Sequence, residues 1–143
     1  MKIKPIITDH IHTKHTSFEV NLNLESNITF ISGDSGTGKS ALYSFLEELA
    51  TENKQIRCFN YLDYKKLYKN SIKQSKGKLF IIDNADILLD DNIRNYIALD
   101  EKNQYIIIGR NPTGLLLSAD EIYELKNEEV KGITLFTLKR AFE

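Results

Sequence analysis

The sequence is poor in the residues that cross-link or break a chain, with one cysteine, Cys58, only 2 prolines and 7 glycines in 143 residues. A single cysteine cannot form an intramolecular disulfide, so nothing ties the chain to an oxidising compartment. With 41% hydrophobic and 27% charged residues, the composition excludes collagen-like and disordered classes. We therefore expect one ordered domain over residues 1–143, with leading edge strands at 1–25 and a core at 26–143.

The chain also lacks an excess of charge of one sign. Its 19 basic and 20 acidic residues give a formal net charge of −1, so no molecule-wide field attracts nucleic acid or an anionic membrane. No uncharged apolar run reaches the length of a membrane span, and Pro5, Asp9 and His10 interrupt the first apolar stretch before a signal-peptide core could form. We expect a cytoplasmic protein with no membrane partner. The heavy use of Ile, Lys and Asn is typical of an AT-rich bacterial or phage genome.

What the chain does have, from residue 17 onward, is an alternation of apolar runs and helical patterns. This alternation predicts an α/β fold with a mainly parallel sheet. The first two strands are expected to form an antiparallel edge, and the last two to flank a polar turn. Predicted strands cover 3–8, 17–24, 27–32, 55–60, 78–83, 104–109, 121–125 and 133–138. Predicted helices cover about 41–49, 63–76 and 91–99, the second with Leu67 on its inner face, and the predicted turn covers 126–132.

One segment matches a phosphate-binding motif, G-x-x-x-x-G-K-[S/T], at every fixed position. The glycines allow a positive φ, so that backbone N–H groups turn inward around a phosphate. Lys39 supplies a positive charge for the β- and γ-phosphates, and Ser40 supplies a hydroxyl ligand for Mg²⁺. The helix that follows, with Ala41 in its first turn, points the positive end of its dipole at the anion. The pattern predicts binding of ATP, or of GTP, with Mg²⁺ by Gly33, Asp34, Ser35, Gly36, Thr37, Gly38, Lys39 and Ser40.

Together with the run Leu79-Phe80-Ile81-Ile82-Asp83, this motif resembles the Walker A and Walker B pair of P-loop NTPases. The resemblance implies a three-layer P-loop NTPase fold with a mainly parallel central sheet and an antiparallel N-terminal edge. It also implies that Asp83 lies at the carboxyl end of a buried strand and holds Mg²⁺ through its water shell.

A further apolar strand, which ends before Arg110 and Asn111, is similar to the additional-strand branch that includes AAA-type and STAND-type ATPases. In that branch the strand lies between the Walker A and Walker B strands, and its polar end senses the γ-phosphate. Gly109 stands where such families often place Thr, Ser or Asn. Solvation of a strand end explains Arg110 equally well. We expect no helical lid of the AAA type after the last predicted strand, so the resemblance is to a minimal domain.

The residue after Asp83 departs from this family. Many of its ATPases place a Glu there to activate water, whereas the amide of Asn84 cannot accept a proton at neutral pH. Asp86 is the nearest residue that could replace this base. An Asp near a turn more commonly stabilises a loop or the start of a helix. Two functions stay open: an ATPase or ATP-driven switch with catalytic roles for Lys39, Asp83, Asp86 and Arg110, and a non-hydrolysing interaction module. A nucleoside or small-molecule kinase is disfavoured, because neither paired carboxylates nor an Arg-rich lid is visible.

Partners are predicted only from local features. If the chain forms oligomers, Arg94, Arg110 or Arg140 is a candidate arginine finger, because a guanidinium can neutralise charge on a neighbour's phosphate. A protein partner is the other possibility. Residues 54–78 hold eight basic residues against one acidic residue, which suits nucleic-acid phosphates. A solvated helix face explains the same pattern.

Overall fold

The computed structural model describes residues 4–32, 38–63 and 67–142, within which one eight-stranded mixed sheet and four α-helices are found. The strands are β1 (His10–Lys14), β2 (Phe18–Asn23), β3 (Ile28–Ser32), β4 (Ile56–Phe59), β5 (Leu79–Ile82), β6 (Gln104–Ile108), β7 (Ile122–Val130) and β8 (Ile133–Arg140). The helices are α1 (Lys39–Glu52), α2 (Tyr68–Gln74), α3 (Ala85–Leu88) and α4 (Asp91–Leu99).

The strand order in the sheet is β1-β2-β8-β7-β3-β6-β5-β4. Strands β4, β5, β6 and β3 pair in parallel with their neighbours, and β7 joins β3 in parallel. By contrast, β1 with β2 and β7 with β8 form antiparallel pairs, which a parallel pairing of β2 with β8 connects. Below, β3 to β6 are called the parallel part, and β1, β2, β7 and β8 the hairpin part.

The predicted fold class is wrong. In place of a three-layer P-loop fold with a mainly parallel sheet, the chain forms a mixed sheet of half-barrel form, with 31% helix and 35% strand. The main reason is the C-terminal segment, where most of the predicted turn at 126–132 is strand. The turn itself consists of Lys131 and Gly132, whose φ angles of 53° and 80° suit a two-residue hairpin turn. Polar residues here belong to a solvent-exposed stretch of β7, which a sequence pattern cannot distinguish from a loop.

Other boundaries also differ from the predictions. The first strand lies at β1 instead of 3–8, although its predicted antiparallel pairing with the next strand is confirmed, with Lys14 opposite Glu19. Of the predicted helix at 63–76, residues 64–66 lie outside the described part of the chain, and α2 covers seven of the described residues. Leu67, expected on the inner face of that helix, is 77% exposed. Helix α3 was not predicted, because its four residues are too few to show a helical period.

The core forms two hydrophobic clusters, and neighbouring residues of one strand belong to different clusters. In β3, Ile31 packs in the cluster that contains α1, whereas Phe30 packs in the cluster that contains α2, α3 and α4. Strands β5 and β6 are buried along their whole length, which explains their continuous apolar sequences. Cys58 in β4 packs against the α1 cluster, and burial raises the pKa of its thiol to about 12. Among the described residues, no helix is long and apolar enough to cross a membrane.

Candidate functional site

A cleft of about 530 Å³ opens where β3, β5 and β6 end. Parallel strands present their carboxyl ends at the same edge of a sheet, and this edge is where open α/β sheets bind ligands. The register places Ile31 beside Ile108, and Ile82 beside Ile107, so these three strands end at the same edge of the sheet. The cleft is lined by Gly38, Lys39, Ser40, Asp83, Asn84, Asp86, Ile108, Gly109 and Arg110.

The end of the predicted phosphate-binding motif forms one wall of this cleft. Gly38 has a left-handed conformation, with φ 95° and ψ 7°, and caps the first turn of α1. Its carbonyl accepts a hydrogen bond of 2.9 Å from the N–H of Leu42, so the helix begins directly at Lys39. Lys39 is half-buried, and Ser40 is exposed to the cleft. The other predicted phosphate-binding residues lie outside the described residues: Gly33, Asp34, Ser35, Gly36 and Thr37.

Asp83 lines the same cleft, directly after β5. Its Oδ1 accepts a hydrogen bond of 2.8 Å from the N–H of Asn84. Desolvation raises the pKa of Asp83, while this hydrogen bond and the charge of Lys39 act to lower it. The partly buried carboxylate would therefore gain from a cation placed beside it.

The side chains at the cleft supply only some of the ligands that a magnesium ion requires. Asp83 and Ser40 offer two oxygen ligands at the cleft, and Mg²⁺ requires six at nearly octahedral geometry. Among the described residues, no group of three or more His, Cys, Asp or Glu is arranged to hold a metal ion. These two residues suit a Mg²⁺ that arrives with phosphate oxygens and water as its remaining ligands.

Asn84 occupies a backbone conformation that explains its identity. Its φ of 53° and ψ of 43° lie in the left-handed region, and it caps the first turn of α3. Asn adopts this region several times more readily than most residues, because its short polar side chain interacts locally with the backbone. A Glu at this position would be strained. The turn therefore favours the amide that the sequence analysis found in place of a catalytic carboxylate.

Asp86 connects α3 to the loop after β6. Its two carboxylate oxygens accept the backbone N–H groups of Arg110 and Asn111, at 2.8 and 2.9 Å. A Cβ atom on Gly109 would lie only 3.1 Å from Ala85 Cβ and 3.3 Å from Asp86 Oδ1. The approach of α3 to the end of β6 thus explains why a glycine occupies this strand end. A general-base role for Asp86 stays a prediction, since a carboxylate can accept further hydrogen bonds.

The prediction that Arg94 could act as an arginine finger is wrong. Arg94 is only 5% exposed, so its guanidinium cannot reach a neighbouring molecule. Instead it donates hydrogen bonds to the carbonyl oxygens of Ala85, Leu89, Asn111 and Thr113. Arg110 is exposed and lines the cleft, whereas Arg140 lies on β8 and pairs with Glu25 at 2.6 Å.

Two further residues that were predicted to contact the nucleotide, Ala41 and Asn111, make contacts within the protein. Ala41 packs against the core cluster that contains α1. The side chain of Asn111 accepts a hydrogen bond of 3.0 Å from the N–H of Thr113 and so shapes its own loop. Neither side chain belongs to the cleft lining.

Part of the basic stretch at 54–78 is engaged within the protein. Lys69 forms an ion pair with Asp90, and the Lys73 ammonium lies 5.8 Å from the centre of the Tyr96 ring. These contacts favour a role for Lys69 and Lys73 within the fold over a role in binding nucleic-acid phosphates.

Two residues beside Gly38 in the cleft wall were not predicted from the sequence. A Cβ atom on Gly38 would lie 2.9 Å from Phe136 Cε1 and 3.4 Å from Asn127 Nδ2. Both residues come from the C-terminal hairpin of β7 and β8. The only signal in the sequence was Phe136 within a predicted strand, because Asn127 fell within the predicted turn.

Comparisons of the chain with models of protein families, with curated proteins and with solved structures found no match. The candidate function therefore depends on the residues of the cleft.

Proposed function

We propose that this chain binds a nucleoside triphosphate together with Mg²⁺ in the cleft between α1 and the end of β5. The observation that carries the proposal is the convergence of Lys39, Ser40 and Asp83 on one cleft from two distant parts of the sequence. An ammonium, a hydroxyl and a carboxylate are the groups that a magnesium–phosphate complex requires. The position of β6 between β3 and β5 adds support, because the resemblance places an additional strand there.

In this proposal each residue has one task. Lys39 and the backbone N–H groups of the loop hold the phosphates, while Ser40 and Asp83 hold Mg²⁺. Arg110, at the end of β6, contacts the γ-phosphate. ATP is the proposed nucleotide, with GTP as the alternative, and the proposed location is the cytoplasm. Membership of the P-loop NTPases is proposed on these residues and not on the overall fold, since function depends on the site.

Hydrolysis separates two candidate functions. An ATPase or ATP-driven switch requires a base, for which Asp86 is the nearest residue. A non-hydrolysing module that uses the nucleotide to bind a partner, either a protein or a second copy of this chain, is the second candidate. It is favoured by the hydrogen bonds that already engage both Asp86 oxygens and by the turn that selects Asn84.

Binding is tested by titrating a fluorescent ATP analogue into the protein with Mg²⁺ or with a chelator. We expect Lys39→Ala to weaken binding at least about tenfold, equivalent to about 1.4 kcal/mol, because the phosphate charge loses its partner. Lys139→Ala, an exposed lysine on β8, serves as the matched control and should bind as the wild type does. Equal affinity of the Lys39→Ala variant and the wild type would contradict the proposal.

Turnover is tested by measuring phosphate release from ATP under the same conditions. If the wild type turns over and Asp86→Asn binds ATP without turning over, Asp86 acts in hydrolysis. Tight binding without release by the wild type instead supports the interaction module.

A further inference from the structure

The C-terminal hairpin extends past the strand that leads into the phosphate-binding motif. The described pairing of β7 with β3 ends where Ser32 lies beside Glu124, yet β7 continues to Val130. Residues 125–130 and their partners on β8 therefore stand at the end of the sheet where the cleft opens.

At that level the hairpin touches the last glycine of the motif. Apart from its chain neighbours, the described heavy atoms nearest to a Cβ built on Gly38 belong to Phe136, Asn127 and Leu125, at 2.9, 3.4 and 3.6 Å. All three residues lie on β7 or β8. Gly38 thus meets two requirements that only glycine satisfies, a positive φ and direct contact with the hairpin.

Phe136 itself is held in place by its surroundings. It is 3% exposed, and its ring centre lies 5.9 Å from that of Phe45 on α1 and 6.2 Å from that of Phe18 on β2. The rings of Phe18 and Phe45 are 4.9 Å apart, which completes an aromatic cluster of these three residues. Because closely packed rings have few alternative positions, Phe136 presents a fixed surface to Gly38.

We propose that Phe136 and Asn127 are positioning residues of the nucleotide site. They hold Gly38 in the left-handed conformation from which Lys39 and Ser40 enter the cleft. The inference rests on the proposed function, and it adds that the hairpin part determines affinity without touching the phosphates. By linkage, a bound nucleotide must stabilise the contact between the hairpin and Gly38 by the same free energy.

The first test compares nucleotide affinity in two variants of the aromatic cluster, Phe136→Leu and Phe18→Leu. Both remove a ring from the same cluster, so both should lower the melting temperature. Only Phe136→Leu removes the surface beside Gly38, and we expect it alone to raise the Kd for Mg²⁺–ATP, by about tenfold. Asn127→Ala, at an exposed position, should raise the Kd by a smaller factor and fold normally. Equal Kd changes in the two Leu variants, or an unchanged Kd in Phe136→Leu and Asn127→Ala, would overturn the proposal.

The second test needs no nucleotide. The N–H of Leu42 donates to the Gly38 carbonyl, so its hydrogen exchange reports how firmly Gly38 is held. We expect faster exchange at Leu42 in Phe136→Leu than in Phe18→Leu at matched stability. Identical exchange in the two variants means that the hairpin does not position Gly38. If the wild type binds no nucleotide, the proposed function fails, while this exchange measurement still decides whether the hairpin holds Gly38.

Discussion

The cleft end of the parallel part and the far end of the C-terminal hairpin are built in different ways. Around the cleft, α3 and the loop after β6 approach each other closely. Only a glycine fits at Gly109, and the buried Arg94 donates hydrogen bonds to carbonyl oxygens on both segments. At the outer end of the hairpin, past Asn127, residues 128–132 are all exposed. The difference shows that residue identity near the cleft is set by tertiary contacts, whereas in the outer hairpin it is set mainly by exposure.

The largest contrast is expected between two arginines. Arg94→Ala removes the donor for the carbonyl groups that it binds and leaves a cavity, so we expect a loss of about 3–5 kcal/mol in the free energy of unfolding. Arg140→Ala removes solvent-accessible contacts with Glu25 and Tyr123, so its free energy of unfolding should be almost unchanged. Urea denaturation followed by circular dichroism measures both values. Equal losses would mean that the buried contacts of Arg94 stabilise the fold no more than the exposed contacts of Arg140.

Two glycines offer the next contrast. Gly109→Ala places a methyl group 3.1 Å from Ala85 Cβ, and such overpacking costs about 1–3 kcal/mol. Gly132→Ala meets no neighbouring atom and should lose about 1 kcal/mol through its positive φ alone.

A second substitution separates these two causes. Ala85→Gly should recover part of the stability lost in Gly109→Ala and none of that lost in Gly132→Ala. Thermal or urea unfolding of the two glycine variants, of Ala85→Gly alone and of the two double variants checks this pattern. Without recovery in the Gly109→Ala, Ala85→Gly double variant, steric crowding is not the reason for the glycine.

A smaller effect is expected at Asp90, which caps α4 by accepting the N–H of Ile93 at 2.9 Å. Asp90→Ala should cost about 1 kcal/mol near neutral pH. The hydrogen bonds from Lys69 and then Ile93 lower the pKa of Asp90, so its stabilising effect is present above about pH 4 and lost as the pH falls through the lowered pKa. Unfolding measured as a function of pH tests this, with exposed Glu128→Ala as the control. A loss that persists unchanged in acid would contradict the assignment.

The smallest effect should be a stabilisation. Because desolvation raises the pKa of Asp83, the fold favours its neutral form, and the resulting stability is lost as the pH rises through the raised pKa. Asp83→Asn should therefore raise the melting temperature of the nucleotide-free protein at neutral pH, while weakening its affinity for Mg²⁺–ATP. The difference in melting temperature from the wild type should shrink in acid, where Asp83 is protonated. Glu128→Gln in the hairpin should show neither change, and a lower melting temperature for Asp83→Asn would contradict the prediction.

The predictions from sequence succeeded where a local pattern decides the structure. Strands β3, β5 and β6 lie within a residue of their predicted bounds, because strands buried on both faces have continuous apolar sequences. Helix α4 matches the predicted range of 91–99, where Asp90 provides an N-terminal cap.

The failures involve contacts between distant segments. The mixed sheet depends on how β7 and β8 pair with β3 and β2, and an alternation of strands and helices does not specify strand order or direction. Likewise, the hydrogen bonds of Arg94 and Asp86 join residues up to 25 positions apart. At Asn84 the sequence showed a missing carboxylate, but only the left-handed backbone supplies a reason for it.

The environment of Cys58 has a practical consequence for following the hairpin in solution. Thiolates, and not thiols, react with alkylating probes, and a thiol with a pKa of about 12 stays protonated at neutral pH. A cysteine introduced at Lys131, in the exposed hairpin turn, would therefore react selectively in the otherwise natural sequence. The native cysteine makes site-specific labelling of the hairpin possible without first being replaced.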